Sequence, residues 1–261
     1  MKKKTALITG ASGGIGLELA SLFAKAGHDL LLVARNADRL TEISAQLQKD
    51  NGITAHILPL DLSQSDAPNE LFQHCERSKI AVDFLVNNAG FGVHGKFAEI
   101  PLQEQLDLVQ LNVTALTHLC RLFLPGMLQR KFGGIMNVAS TAAFQPGPRM
   151  AAYYASKSYV LFLSEALATE VKGTGVWVTA FCPGPTATGF QGRAGMEKTI
   201  LMTKAGMMMD AASAARSGFA GFMKKRPIVI PGMMNRAVAQ SIRFSPRALV
   251  RQVVNFLHEG E

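Results

Sequence analysis

Cysteine is scarce in this chain: Cys75, Cys120 and Cys182 are the only three in 261 residues. They are too few and too scattered for a disulfide framework or a metal cage, so no metal is expected. Long apolar runs are missing too, and none approaches the length of a membrane span. Met1-Lys2-Lys3-Lys4 has the charge of a signal peptide's basic region, but Thr5–Ile8 is too short to serve as its apolar core. These absences point to a cytoplasmic protein. No linker, repeat or low-complexity tract divides residues 1–261, which therefore read as one domain. Hydrophobic residues make up 48% and charged residues 18%, a composition that can bury a large core and excludes a disordered chain.

Acidic residues are absent from one stretch. Ala211–His258 contains Arg216, Lys224, Lys225, Arg226, Arg236, Arg243, Arg247 and Arg251 and no aspartate or glutamate. Removing those eight from the 27 lysines and arginines leaves 19, equal to the 19 acidic residues, so this stretch carries the whole net charge of +8. Within the basic extension 232–261, Ser245-Pro246 is a good helix start. Leu249, Val253 and Leu257 follow on one face, with Val250 and Val254 beside them and Arg247 and Arg251 on another side. Such a helix packs on its own domain or a sister subunit, lies on an anionic membrane, or receives an acidic acyl carrier. No aromatic-rich basic groove accompanies the charge, so nucleic acid is not an expected partner.

What is present has a clear alternation. Thr5–Thr9, Asp29–Ala34, Thr54–Leu60, Ile80–Asn87, Gly134–Ser140, Val176–Cys182 and Ile228–Pro231 are short apolar runs. Segments long enough for helices separate the early ones, including Gly14–Gly27 and Asn36–Asn51. Continuous apolar strands alternating with helices predict an α/β, doubly wound parallel sheet covered on both faces. Ligands bind such sheets at the carboxyl ends of the strands. Gly10, Asp61, Asn87, Ser140 and Pro183 all fall at or just beyond those ends.

The turn Thr9-Gly10-Ala11-Ser12-Gly13-Gly14-Ile15-Gly16 joins the first strand to the first helix. Glycines let backbone amides approach a pyrophosphate, and the helix N-terminus adds partial positive charge. The spacing is Gly-x-x-x-Gly-x-Gly, not the commoner Gly-x-Gly-x-x-Gly. A second absence follows: the carboxylate that grips a ribose 2′-hydroxyl, due at the end of the second strand, is replaced by Ala34-Arg35-Asn36. An arginine there favours a 2′-phosphate, hence NADP(H). Arg39, one helical turn on, is placed to add to the same pocket.

Tyr153 and Lys157 are four apart and share a helix face. A free phenol ionises near pH ~10, and a neighbouring ammonium lowers that value toward an acid/base role. Spacing leaves Tyr154 almost equally plausible as the acid.

Taken in order, TGASGGIG, Asn87-Asn88-Ala89-Gly90, Ser140 thirteen residues before Tyr153, the YYASK helix start and Pro183-Gly184 resemble the single-domain short-chain dehydrogenase/reductase family. The match runs from Thr5 to about Thr188. The resemblance implies a sheet of about seven strands and selects Tyr153 as the acid in carbonyl reduction. It makes Ser140 the hydrogen-bond donor to the substrate carbonyl. Lys157 becomes the residue that holds the nicotinamide ribose, and Asn112 the anchor of a proton-relay water. Asp61 and Leu62 become adenine contacts, and Asn88, Ala89 and Gly90 lie along the adenosine ribose. Thr186 and Thr188 would meet the carboxamide beyond Pro183-Gly184. Asn87 is expected to stabilise the sheet, and Cys182 to be buried filler.

The segments Phe91–Phe97, Thr141–Met150 and Pro185–Asp210 are expected to wall the substrate pocket, with residues 185–225 forming a lid. They supply Phe91, Val93, Phe144, Met150 and Phe190, together with Met196, Met202 and Met207-Met208-Met209. Methionine adapts to irregular apolar shapes, so the substrate is expected to be hydrophobic. NNAGFGVHGKF is similar to a branch of acyl and ketoacyl reductases, making a 3-oxoacyl thioester the alternative substrate. A non-catalytic NADP-binding sensor is the rival from another class, and the intact Ser140, Tyr153 and Lys157 argue against it. Relatives commonly pair, so a homodimer or homotetramer is implied.

Overall fold

Side chains in the first strand, β1 (Thr5–Thr9), alternate between two cores. Ala6 and Ile8 join one apolar cluster and Leu7 the other, as period-two geometry requires of a strand covered on both faces. The same division runs through β2 (Asp29–Ala34), β4 (Val82–Asn87), β5 (Gly133–Val138) and β6 (Val176–Phe181). With β3 (Ala55–Pro59) and the two-residue β9 (Ile228–Val229) they form a seven-stranded sheet in the order β3-β2-β1-β4-β5-β6-β9. Every pair in it is parallel. This is the doubly wound sheet expected from the alternating pattern, and no strand bound differs from expectation by more than two residues.

The computed structural model describes residues 3–197, 199–203 and 208–259, apart from the side chains of residues 202 and 203. Helices α1 (Gly14–Lys25), α2 (Ala37–Asn51) and α9 (Ala211–Met223) cover one face, burying Leu19, Phe23, Leu40 and Phe222. Helices α3 (Ala67–Arg77), α5 (Leu116–Gln129) and α6 (Ala151–Glu170) cover the other with Leu71, Leu116, Phe123 and Val160. α2 shows why its ends fall where they do. Asn36 caps it by accepting from Arg39 N at 2.9 Å, and Gly52 closes it at φ 64°.

Strand order reverses between β1 and β4, and the carboxyl ends there open a cleft of about 1310 Å³. Beyond the sheet, α4 (Leu102–Val109) runs into a π-helical turn, Gln110–Ala115. Of residues 185–225, expected as a lid, α9 packs on the sheet, and the part before it carries α7 (Phe190–Ala194) and α8 (Ile200–Thr203) and a two-stranded ribbon of β7 (Thr186–Ala187) and β8 (Met209–Asp210). The chain finishes in α10 (Met233–Ser241) and α11 (Arg247–Leu257). No described helix is long and apolar enough to cross a membrane.

The tail departs from expectation in detail. Pro246, not Ser245, caps α11, and the face that docks is Val250 and Val254, continued by His258. Leu249 and Val253 stay about half exposed. Periodicity placed the apolar side of the helix correctly but not which part of that wide side meets the body.

Candidate active site

The glycine turn lies at the floor of the cleft, where Gly10, Ser12, Gly13, Gly14 and Ile15 line it. Gly16 faces inward instead. A Cβ there would collide with the Gly10 carbonyl and with Asn88 Nδ2, so only glycine lets α1 approach β1 this closely. Gly13 at the helix N-cap offers no side-chain cap, and the first turn holds no acidic residue. The first N–H groups of α1 are therefore unclaimed by capping side chains and suited to an anion such as a pyrophosphate.

Arg35 and Asn36 line the adjoining wall with Asp61, Leu62, Asn88, Ala89 and Gly90. The Arg35 guanidinium is 4.0 Å from the Asp61 carboxylate. Burial works to raise the Asp61 pKa, but hydrogen bonds from Ser63 and the charges of Arg35 and Arg193 hold it below the ordinary value. Arg39 does not join this wall. Its guanidinium turns to Glu42, 2.9 Å away on the solvent side of α2, and it is absent from the lining. One turn of spacing brought Arg39 near, but its (i, i+3) carboxylate partner holds it away.

Ser140, at the end of β5, accepts a hydrogen bond from Ala142 N at 3.1 Å and contacts the Tyr153 phenol. Tyr153 and Lys157 project from the first turns of α6 into the same cleft. Lys157 Nζ donates to the Val138 carbonyl at 2.8 Å and sits 5.8 Å from the Tyr153 ring centre. Burial pushes the Tyr153 phenol up to about 12, against the hydrogen bond from Ser140, and brings Lys157 down to about 8. The spacing argument expected the ammonium to lower the tyrosine. In this geometry the ammonium is turned to a carbonyl and desolvation dominates, so the phenol stays protonated. Tyr154 is engaged elsewhere: its hydroxyl is 2.7 Å from His258 Nε2.

A family model described as short chain dehydrogenase matches residues 4–198. The chain belongs to the short chain dehydrogenase family. A fatty acyl-CoA reductase of Acinetobacter baylyi is 40% identical over 66% of this chain and 58% of its own length. The chain spans 52% to 63% of the length of this and three other curated relatives that it matches. Among solved structures, a short-chain dehydrogenase from Sphingobium yanoikuyae in complex with NADPH is 33% identical, with a TM-score of 0.84 and 94% of each chain covered. The bulky-bulky ketone specific alcohol dehydrogenase from Comamonas testosteroni is 30% identical, with a TM-score of 0.79, covering 97% of this chain and 96% of its own.

The other residues expected at the site fall into two groups. Pro183, Gly184, Thr186 and Thr188 line the cleft, as do Phe91, Met150 and Phe190. Met196, Met208 and Met209 line it too, whereas Met207 and the Met202 side chain lie outside the described residues. Val93 and Phe144 do not line it but pack against the core cluster beneath α5 and α6. Loops carrying them reach the site while these two side chains turn inward. Asn112 is also absent from the lining. Its amide accepts from Phe91 N at 3.1 Å and donates to Phe91 O at 2.9 Å and Ser156 Oγ at 3.1 Å, fastening the π-turn to the loop after β4. Asn87 bonds Asn137 at 2.9 Å beneath the sheet, and burial raises the Cys182 thiol to about 12, leaving it unreactive.

Arg193 and His258 escaped the sequence reading. Arg193, on α7, lies 4.3 Å over the Phe91 ring and shares the electrostatic field of Arg35 and Asp61. No spacing rule connects residue 35 to residue 193; only the lid's return across the cleft does. His258, at the end of α11, lines the cleft from the opposite end of the chain.

Proposed function

We propose that the protein is an NADPH-dependent carbonyl reductase acting on an apolar ketone or aldehyde. The observation that carries this reading is the meeting of Ser140, Tyr153 and Lys157 in one cleft with the α1 N-terminus and Arg35. The first three suit carbonyl chemistry, and the others suit a phosphorylated dinucleotide. When bound, NADPH supplies the hydride that reduces the carbonyl carbon.

The chain's own residues handle the oxygen and the charge. Ser140 Oγ accepts from Ala142 N and donates to the Pro183 carbonyl at 3.4 Å, a long bond whose hydrogen can turn to a substrate oxygen instead. Tyr153, kept protonated by burial, gives its proton to that oxygen as negative charge develops there. Lys157 keeps its ammonium at neutral pH and supplies positive charge behind the phenol. Asn112 acts by position, setting the π-turn and Phe91 against the pocket, and in this reading anchors the water that resupplies the proton. Asp61, Leu62, Asn88, Ala89 and Gly90 flank the adenosine half, and Arg35 meets the 2′-phosphate.

Similarity to a very-long-chain 3-oxoacyl-CoA reductase of Laccaria bicolor, 35% identical over 66% of this chain, favours a second substrate class, 3-oxoacyl thioesters. An NADPH-oxidation screen across aliphatic ketones, steroids, quinones and 3-oxoacyl-CoA substrates tests both. Turnover of free ketones supports the first reading, and turnover confined to thioesters supports the second. Binding of NADPH with no carbonyl reduced would reject both in favour of a non-catalytic binder.

A further inference from the structure

α11 brings the end of the chain to the start of α6. His258 is 1% exposed, and its Nε2 lies 2.7 Å from the hydroxyl of Tyr154, itself buried. The His258 carbonyl accepts from His94 Nε2 at 2.9 Å. The backbone carbonyl of Glu259 accepts from Ile200 N at 3.0 Å, and the Glu259 carboxylate lies 3.6 Å from Arg149. His258 and Glu259 thus tie together the loop after β4, the loop before α6, the first turn of α6 and α8. Val250 and Val254 add an apolar cluster with Ala142, Met150, Tyr154, Ala194 and Met196, separate from the two cores on the sheet.

These ties converge on the acid. Tyr154 stands edge-on to the Tyr153 ring at 6.0 Å between centres, and Phe190 of α7 lies 5.2 Å from it. The tail holds both flanking rings, Tyr154 by its hydrogen bond and Phe190 by packing against the cluster built on Val250 and Val254. α6 does little to fix its own start, since Met150 gives it no side-chain cap. Arg149, just before it, has φ 64°, a left-handed conformation that a non-glycine residue keeps only where its surroundings impose it. Its carbonyl accepts from Gly95 N at 2.8 Å, and its guanidinium faces Glu259. His258 Nδ1 has no partner among the described residues, so the bond to Tyr154 is the ring's single hydrogen bond there.

We propose that His258 is a positioning residue, whose hydrogen bond to Tyr154 fixes the first turn of α6 so that the Tyr153 phenol meets the substrate oxygen in line. This rests on the carbonyl-reductase reading. Proton transfer is sensitive to such placement, and a misplacement of about 1 Å can cost 10²-fold in rate. The test uses the best substrate of the NADPH-oxidation screen. kcat, KM and the NADPH dissociation constant are measured for wild type, His258→Phe, His258→Gln, Tyr154→Phe and the double variant His258→Phe/Tyr154→Phe, each below its melting temperature. The phenyl ring fills the imidazole's space without a hydrogen bond, whereas glutamine puts its amide where Nε2 stands. Tyr154→Phe also removes a contact with Gln145, so the double variant is needed to isolate the bond to His258.

His258→Phe and Tyr154→Phe should each lower kcat by about tenfold or more, with KM and NADPH affinity nearly unchanged. His258→Gln should stay near wild type, and the double variant should be no slower than the slower single one, because both substitutions break one bond. Lower melting temperatures with wild-type kcat in the folded variants would mean that the bond only stabilises, and would overturn the proposal. Losses that multiply in the double variant, or a glutamine variant as slow as the phenylalanine one, overturn it as well. If the wild type binds NADPH and reduces no carbonyl, the reductase reading fails and takes the proposal with it. That result is distinct from reduction that is indifferent to His258.

Discussion

Lowering the pH from 7.5 to 5 should loosen the tail, and His258 sets how much. Its folded-state pKa is pushed from 6.5 to about 4, first by burial and then by the charges of His94 and Arg149. In the unfolded chain the ring takes up a proton as pH falls through about 6.5, while the folded protein resists until about pH 4. The neutral ring's contribution is therefore complete above the unfolded value and is lost progressively on acidification. With those two values the loss at pH 5 is about 2 kcal/mol, and the limit at still lower pH is roughly 3 kcal/mol. For a chain of this size, 2 kcal/mol corresponds to a fall in melting temperature of about 4–8 °C. The assay is thermal unfolding across this pH range for wild type and His258→Phe, which cannot titrate at this position. His28, whose pKa burial also lowers, titrates in both proteins and cancels in the comparison. Wild type should start more stable and converge on the variant as pH drops. Parallel pH profiles would refute the reasoning, because they would mean that His258 gains its proton equally in both states.

Tyr153→Phe should lower kcat by about 10²–10⁴-fold, the range for loss of a general acid, while NADPH affinity measured by fluorescence stays nearly constant. Turnover near wild type would transfer the acid's role to Tyr154. Arg35→Ala should weaken NADPH binding by about tenfold or more, through loss of a charge-assisted contact, and leave NADH nearly untouched. Equal losses for both would remove Arg35 from the 2′-phosphate. Gly16→Ala forces a methyl group against the Gly10 carbonyl and Asn88. It should cost roughly 1–3 kcal/mol in denaturant unfolding and weaken both dinucleotides alike. An alanine variant as stable as wild type would show that α1 can retreat without loss.

The strands, their order of appearance and the polar residues at their carboxyl ends could be read directly from the sequence, all but the last strand from residues 5–188. The reason is that those signals are local. A buried parallel strand is a continuous apolar run, a tight approach needs glycine at a given position, and residues four apart on a helix share a face. Tyr153 and Lys157 share such a face of α6, and Arg35 lines the cleft because it directly follows the end of β2. Local signals did less well where side chains compete for partners. Arg39 went to Glu42, Val93 and Phe144 went to the core, and Asn112 went to Phe91.

Only the tertiary structure decided what meets across long separations. Arg193 reaches the field of Arg35 and Asp61 over more than a hundred residues, and His258 joins Tyr154 from the far end of the chain. Neither pairing leaves a periodicity or a spacing to detect, because each depends on where the lid and tail fold back. The sequence by itself determined the sheet and the grouping of Ser140, Tyr153 and Lys157 at its carboxyl edge. The cleft's outer wall was decided by packing.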